Sequence, residues 1–227
     1  VIAPLVDFAH TSEEDKLVDA LKELEAGSFD WMTATSSTVA DVLKHHNAVI
    51  HPDTKVAIVG EATAVAFTDA GYPITRTPSE ENSTYALLDE WSEINTDEVL
   101  KVLTLRSDVA VPVLTEGLTQ RGHDVTQVLA FRTVGVPASV HIREDIESGR
   151  INALLVASAK IAEEVASQFP DIPENTIVAC VGVNTLEVAA ALGLPADAND
   201  PSHPVYAPKR ALIETVESVI DQSDMLD

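Results

Sequence analysis

Four short segments carry hydroxyl or amide side chains where an apolar run gives way to a helix-like pattern. They are Thr35-Ser36-Ser37, Gly60-Glu61-Ala62-Thr63, Ala157-Ser158-Ala159 and Gly182-Val183-Asn184-Thr185. Ser, Thr and Asn in such places cap helices by accepting a hydrogen bond from a free backbone N–H. The same places also suit anions. A helix N-terminus offers unpaired N–H groups and partial positive charge. At the carboxyl ends of parallel strands, where open sheets bind ligands, that makes an anion site needing no lysine or arginine. Each turn alone is an ordinary cap; four that converge would hold a polyanion.

Other chemistry-bearing residues form no known pattern. The seven histidines (10, 45, 46, 51, 123, 141 and 203) show neither HxxxH nor HExxH spacing, so a zinc site is not supported. Cys180 sits in an apolar run beside Val181 and reads as a buried, inert thiol. There is no GxSxG elbow and no GxxxxGK[ST] loop, and Gly60 and Gly182 lack the companion glycines of a dinucleotide fingerprint. Arg106 and Arg132 stand at strand ends in a cation-poor chain, each placed to pair with a ligand carboxylate or with the acidic surface.

The elements that must position these residues alternate between strand and helix patterns. Apolar runs at 29–35, 55–59, 101–105, 125–131, 153–156 and 176–181 read as strands. Helical periodicity falls at 63–69, 83–91, 109–121, 159–168 and 184–192, with an amphipathic helix at about 209–222. Two further helices flank the first strand. One opens at a Thr11-to-Glu14 capping box and ends at Gly27; the other follows Ser37. The stretch 133–138 lacks periodicity and reads as a linker. Such alternation predicts an α/β fold with parallel sheets covered by helices on both faces.

The chain also repeats itself. Residues 55–73 resemble 177–195 position by position, pairing Gly60 with Gly182, Thr63 with Thr185, Gly71 with Gly193 and Pro73 with Pro195, each 122 positions apart (185 less 63). The same offset upstream pairs Ser36 with Ser158. A period this long is domain-sized, so the reading is two similar α/β domains.

Composition bounds the rest. The 227 residues are 45% hydrophobic and only 4% aromatic, so the core is built from Ala, Val, Leu and Ile. No apolar run reaches the roughly 18 residues of a membrane helix, and no secretory signal pattern is present. One cysteine excludes an internal disulfide. These features give a cytoplasmic expectation. With Lys+Arg 14 against Asp+Glu 37, the net charge of −23 excludes a basic nucleic-acid footprint and disfavours an anionic membrane surface.

The ordered motifs resemble the uroporphyrinogen-III synthase family. The residues that carry the resemblance are Trp31-Met32-Thr33-Ala34-Thr35-Ser36, the helix start Gly60-Glu61-Ala62-Thr63-Ala64, Leu103-Thr104-Leu105-Arg106, the run from Gly122 to Phe131-Arg132-Thr133, the turn at Ser158, and the helix start Gly182 to Thr185. They cover most of positions 4–195. The resemblance implies two similar domains with parallel sheets, joined by a two-stranded linker, with an active-site cleft between them. It places linker strands at 1–10 and 128–135, one domain at 11–127 and the other at 136–227. It implies a cyclising lyase that takes hydroxymethylbilane, a linear tetrapyrrole with eight carboxylates, to uroporphyrinogen III. Ring D is inverted and water is lost, without metal or organic cofactor. Thr35, Ser36, Thr63, Arg106, Ser158, Asn184 and Thr185 are the expected substrate-binding residues. A monomer, with hydroxymethylbilane synthase as a transient partner, is the expected assembly.

The sequence departs from the family pattern in three places. Phe131 stands where the family commonly has a tyrosine, so it has no proton to give. The family's first strand and helix have no match in this sequence, and the expectation is that the sequence given starts late relative to the family pattern. The Gly-rich, Arg-containing helix start after Arg106 is replaced by Ser107-Asp108-Val109-Ala110-Val111-Pro112. The residues also fit a non-catalytic sensor or binding protein for a small anion. A flavodoxin-like nucleotide enzyme fits less well, because the phosphate loop is missing.

Overall fold

The computed structural model describes residues 3–79, 83–94, 98–174, 176–180 and 183–195, without the side chains of 92–94, 183 and 184. The stretch at 209–222 read as a helix, the Gly182 turn and the Asn184 side chain lie outside the described residues. The chain separates into two compact units. One spans Phe8–Thr133; the other combines Val1–Asp7 with Val134–Asp227.

The 8–133 unit is built on β2 (Trp31–Ala34), β3 (Lys55–Ile58), β4 (Lys101–Ser107) and β5 (Asp124–Gly135), preceded by β1 (Val6–His10). The sheet order is β1-β5-β4-β2-β3, and the β5-β4-β2-β3 pairs are parallel. Alternate side chains serve opposite faces. Met32, Val56, Ile58, Leu103 and Leu105 meet α1 (Glu14–Glu25), α2 (Thr38–His45) and Phe67 of α3 (Glu61–Asp69). Trp31, Ala57, Val59 and Val102 meet α4 (Thr84–Ile94) and α5 (Val113–Gln120). Both faces are buried, which is why these strands read as continuous apolar runs.

The other unit holds α6 (Val140–Glu147), β6 (Ala153–Val156), α7 (Ala159–Gln168), β7 (Ile177–Cys180) and α8 (Val183–Ala191). β6 and β7 pair in parallel over an apolar core that includes Val156, Val178, Cys180 and Phe169. Cys180 is fully buried, and burial pushes its thiol pKa up.

The repeat holds at the level of backbone register. Trp31 pairs with Lys55 in one unit and Ala153 with Ile177 in the other, so both partners are displaced by 122 positions (153 less 31, 177 less 55). The bounds of β2, β3 and α3 map onto those of β6, β7 and α8 at that offset. Even single hydrogen bonds recur. Thr54 Oγ1 donates to the Phe29 carbonyl at 2.7 Å, and Thr176 Oγ1 donates to the Ile151 carbonyl at 2.8 Å.

Several local expectations are corrected. No capping box forms at Thr11: its Oγ1 accepts from the Glu13 N–H two residues on, and Glu13 is the cap. Helix α5 starts at Val113, not Val109, because Pro112 can stand at a helix entrance but not inside one. Strand β5 runs on through Gly135, so the first half of the aperiodic stretch at 133–138 is strand. Helix α6 was not read from the sequence; Ser139 caps it, its Oγ accepting from the Ile142 N–H.

Candidate functional site

Parallel pairing brings the carboxyl ends of β4, β2 and β3 side by side. From that edge leave Thr35 and Ser36 after β2, Gly60 before α3, and Arg106 at the end of β4. The Val59 N–H donates to the Ala34 carbonyl at 3.0 Å and extends the edge by one residue. Gly60 then turns the chain with φ of +104°, a conformation that strains any side chain. A Cβ there would stand 3.0 Å from Thr63 Oγ1, so the glycine also makes room for that hydroxyl. Thr63 lies in the first turn of α3 and is only 3% exposed.

The α4/α5 side of this edge encloses a small cavity of about 30 Å³. Its lining includes Thr33, Thr35, Thr84, Thr104, Arg106 and Thr115, and no acidic side chain. In a chain of net charge −23 an acid-free hollow with a guanidinium is a local exception. Thr33 and Thr104 are register partners, and Thr104 Oγ1 lies 3.0 Å from Thr115 Oγ1. Thr33 Oγ1 is buried and has no hydrogen-bond partner. An unsatisfied buried hydroxyl costs about 1–3 kcal/mol. The volume suits one water or one ligand oxygen, which would satisfy it.

Arg106 sits inside its own loop. Its Nη1 donates to the carbonyls of Ser107 and Ala110, so it holds the 107–112 segment while lining the cavity. Its Nε is buried without a partner. Ser36 Oγ accepts from the Thr38 N–H at 3.3 Å, a local contact at the start of α2.

In the other unit Ser158 is a true N-cap: its Oγ accepts from the Ile161 N–H at 3.3 Å. Thr185 is 5% exposed in the first turn of α8, matching Thr63 in burial as well as position. The structure therefore groups Thr35, Ser36, Thr63 and Arg106 at one sheet edge, and Ser158 and Thr185 at the equivalent place of the second unit. Thr35 and Arg106 share the cavity; Ser36 and Thr63 do not line it. Thr33, Thr84, Thr104 and Thr115 were missed. The usable signal was threonine at alternate positions of apolar strands, Thr33 with Thr35 and Thr104 before Arg106, which places them on one face.

Phe131 is buried in the core and meets Phe8 edge to face, with ring centroids 5.2 Å apart. Among the described residues no group of three or more His, Cys, Asp or Glu side chains is placed to hold a metal ion. No described helix is long and apolar enough to cross a membrane.

A chloroplastic uroporphyrinogen-III synthase of Oryza sativa subsp. japonica is 28% identical over 200 residues, which are 84% of this chain. The chain spans 64% of that relative's length. A crystal structure of uroporphyrinogen-III synthetase from Helicobacter pylori 26695 superposes with TM-score 0.64 at 18% identity, covering 96% of this chain and 95% of that one. A mutant uroporphyrinogen III synthase from Thermus thermophilus gives TM-score 0.60 at 17% identity, covering 96% and 88%. These two similarities establish a shared α/β fold. Residues 1–204 match the family described as uroporphyrinogen-III synthase HemD. Since that match covers most of the 227 residues, the chain belongs to the uroporphyrinogen-III synthase family.

Proposed function

We propose that this protein closes hydroxymethylbilane to uroporphyrinogen III, acting as a cyclising lyase without metal or organic cofactor. The observation that carries the reading is the repeated, buried threonine, Thr63 and Thr185, each in the first turn of a helix that leaves a parallel-sheet edge. Two equivalent edges of backbone N–H groups and small hydroxyls suit a substrate bearing eight carboxylates. Thr35, Ser36, Thr63 and Arg106 serve one edge; Ser158, Asn184 and Thr185 serve the other. Residues 11–127 and 136–227 act as the two domains, with 1–10 and 128–135 as the strands joining them.

In the reaction the substrate's terminal hydroxyl takes a proton and leaves as water, and the carbon it leaves bonds to the α-carbon of ring D that already carries the bridge from ring C; that bridge bond breaks and re-forms at the other α-carbon of ring D, which loses its proton, so the ring is inverted. The protein's main task is to select one geometry of a reactive chain. Holding both ends in place turns a choice among many conformers into a single favoured closure. Amides already aimed at the carboxylates do this without reorganising. Phe131 carries no hydroxyl, so the proton for the departing oxygen comes from water or another side chain. The protein works as a monomer that receives its substrate from hydroxymethylbilane synthase in transient contact.

The test is a coupled assay. Porphobilinogen and hydroxymethylbilane synthase generate the substrate, and the oxidised porphyrin isomers are separated chromatographically. Enrichment of isomer III over isomer I is the expected result. Isomer I alone would return the protein to the class of binding proteins for small anions.

A further inference from the structure

A second pocket lies along α2, within the 8–133 unit and on the sheet face opposite the threonine-lined cavity. Its volume is about 170 Å³. Phe8, Val42, Ala130 and Phe131 make its apolar wall, and His10, His45 and His46 add three imidazoles. The ring centroids of His10 and His45 are 4.9 Å apart, and those of His45 and His46 are 5.1 Å apart. Three of the chain's seven histidines thus meet at one hollow. Arg132 on β5 donates its Nε to the His10 carbonyl at 3.0 Å, adding a permanent cation to the same strand pair. Thr38 from the first turn of α2 completes the lining.

We propose that this pocket is a subsite for one carboxylate on a short aliphatic arm, held by N–H groups of the His10 and His45 imidazoles. Imidazole carries at least one N–H donor in either charge state. An anion seated between the two rings takes a donor from each. The apolar wall suits the methylene stem behind the carboxylate. The volume equals roughly five or six liquid waters, enough for an acetate or propionate arm and far too small for a tetrapyrrole.

Other charges face the cluster. Asp41, one turn before His45 on α2, is the one acidic side chain of the lining. Lys44 precedes His45 on the same helix. From α1, Glu14 Oε1 stands 3.5 Å from His46 Nε2, so His46 has an acidic partner and is not assigned to the anion.

The carboxylate has two possible sources, an arm of the tetrapyrrole or a free small acid. The first rests on the proposed synthase function; the second does not. The full chain, labelled at histidine, is titrated with sodium propionate replacing sodium chloride at constant ionic strength, and the imidazole resonances are followed by NMR. The His10 and His45 signals are expected to move, while that of His141, which lies outside the pocket, does not. Absence of movement, or equal movement with chloride, overturns the proposal. Steady-state kinetics of the His10→Gln/His45→Gln double variant then separate the sources. A KM raised roughly tenfold, with isomer III still formed, assigns the subsite to a substrate arm. An unchanged KM beside propionate-dependent shifts assigns it to a free acid. Wild-type protein that makes no isomer III removes the synthase reading, while the propionate titration still decides the subsite.

Discussion

Thr54 and Thr176 show how closely single residues obey the repeat. Each is nearly fully buried just before a strand, and each hydroxyl donates to a carbonyl that precedes the neighbouring strand. The bond ties a loop to its sheet beneath the edge where the candidate binding residues stand. Replacing either by valine keeps the shape and leaves a carbonyl without its donor. The expected cost is about 1–3 kcal/mol. Because the residues lie in different units, chemical denaturation of Thr54→Val and Thr176→Val should destabilise different parts of the chain. The Cys180 thiol makes this measurable. It is buried in the second unit and its pKa is raised by that burial, so it reacts only when the unit opens. Thr176→Val should speed alkylation of Cys180 roughly tenfold or more, and Thr54→Val should leave it near the wild-type rate. Equal acceleration by both would mean that the units do not open separately.

The elements pack through a few contacts that carry their own pH dependence. Trp91 of α4 donates its Nε1 to His123 Nε2 at 3.1 Å, and His123 Nδ1 faces the Leu100 N–H at 3.4 Å. A neutral imidazole accepts at one nitrogen only, here Nε2 from Trp91 at the shorter distance, and a doubly protonated ring accepts at neither. Burial, and then the charge of Arg121, hold the His123 pKa below its ordinary 6.5. The unfolded chain therefore binds this proton more readily. The contribution is fully present above about pH 6.5 and is lost as pH falls through the folded-state pKa. Urea midpoints should decline from about pH 7 to pH 5, and His123→Gln, which keeps an acceptor for Trp91, should flatten that decline. An unchanged slope would remove His123 from the account. At this scale the sequence was legible wherever period decided the outcome. Strands buried on both faces showed as apolar runs, and the 122-residue offset read from Thr63 and Thr185 holds for strand register. It failed where one local choice competed with another. Thr11 chose the nearer Glu13 N–H over a capping box, Pro112 cut the front of α5, and α6 carries only one buried side chain, Ile146, too little to show as a period. Of the threonine-lined cavity only the strand alternation was legible, and the histidine pocket was not, because each gathers residues from distant segments onto one face.

Charge acts on the whole molecule. A net −23 surrounds a fold whose proposed substrate carries eight carboxylates, so the protein's mean field opposes binding. That field depends on salt, and the local donors do not. At about 0.01 M ionic strength the Debye length is about 30 Å, so most of the acidic surface acts on an approaching anion. At about 0.15 M it falls to about 8 Å, and only groups lining the site count. Those are the threonines, the helix N-termini and Arg106, with no carboxylate in the cavity lining. KM should therefore fall as salt rises over this range, the reverse of ordinary polyanion recognition by basic surfaces. The measurement belongs near pH 8, where imidazoles as a class are neutral and only the fixed donors and the acidic surface compete. A KM that climbs steadily with salt would mean that fixed cations dominate recognition. Carboxylate binding would then have to be reassigned from the backbone edges to Arg106 and Arg132.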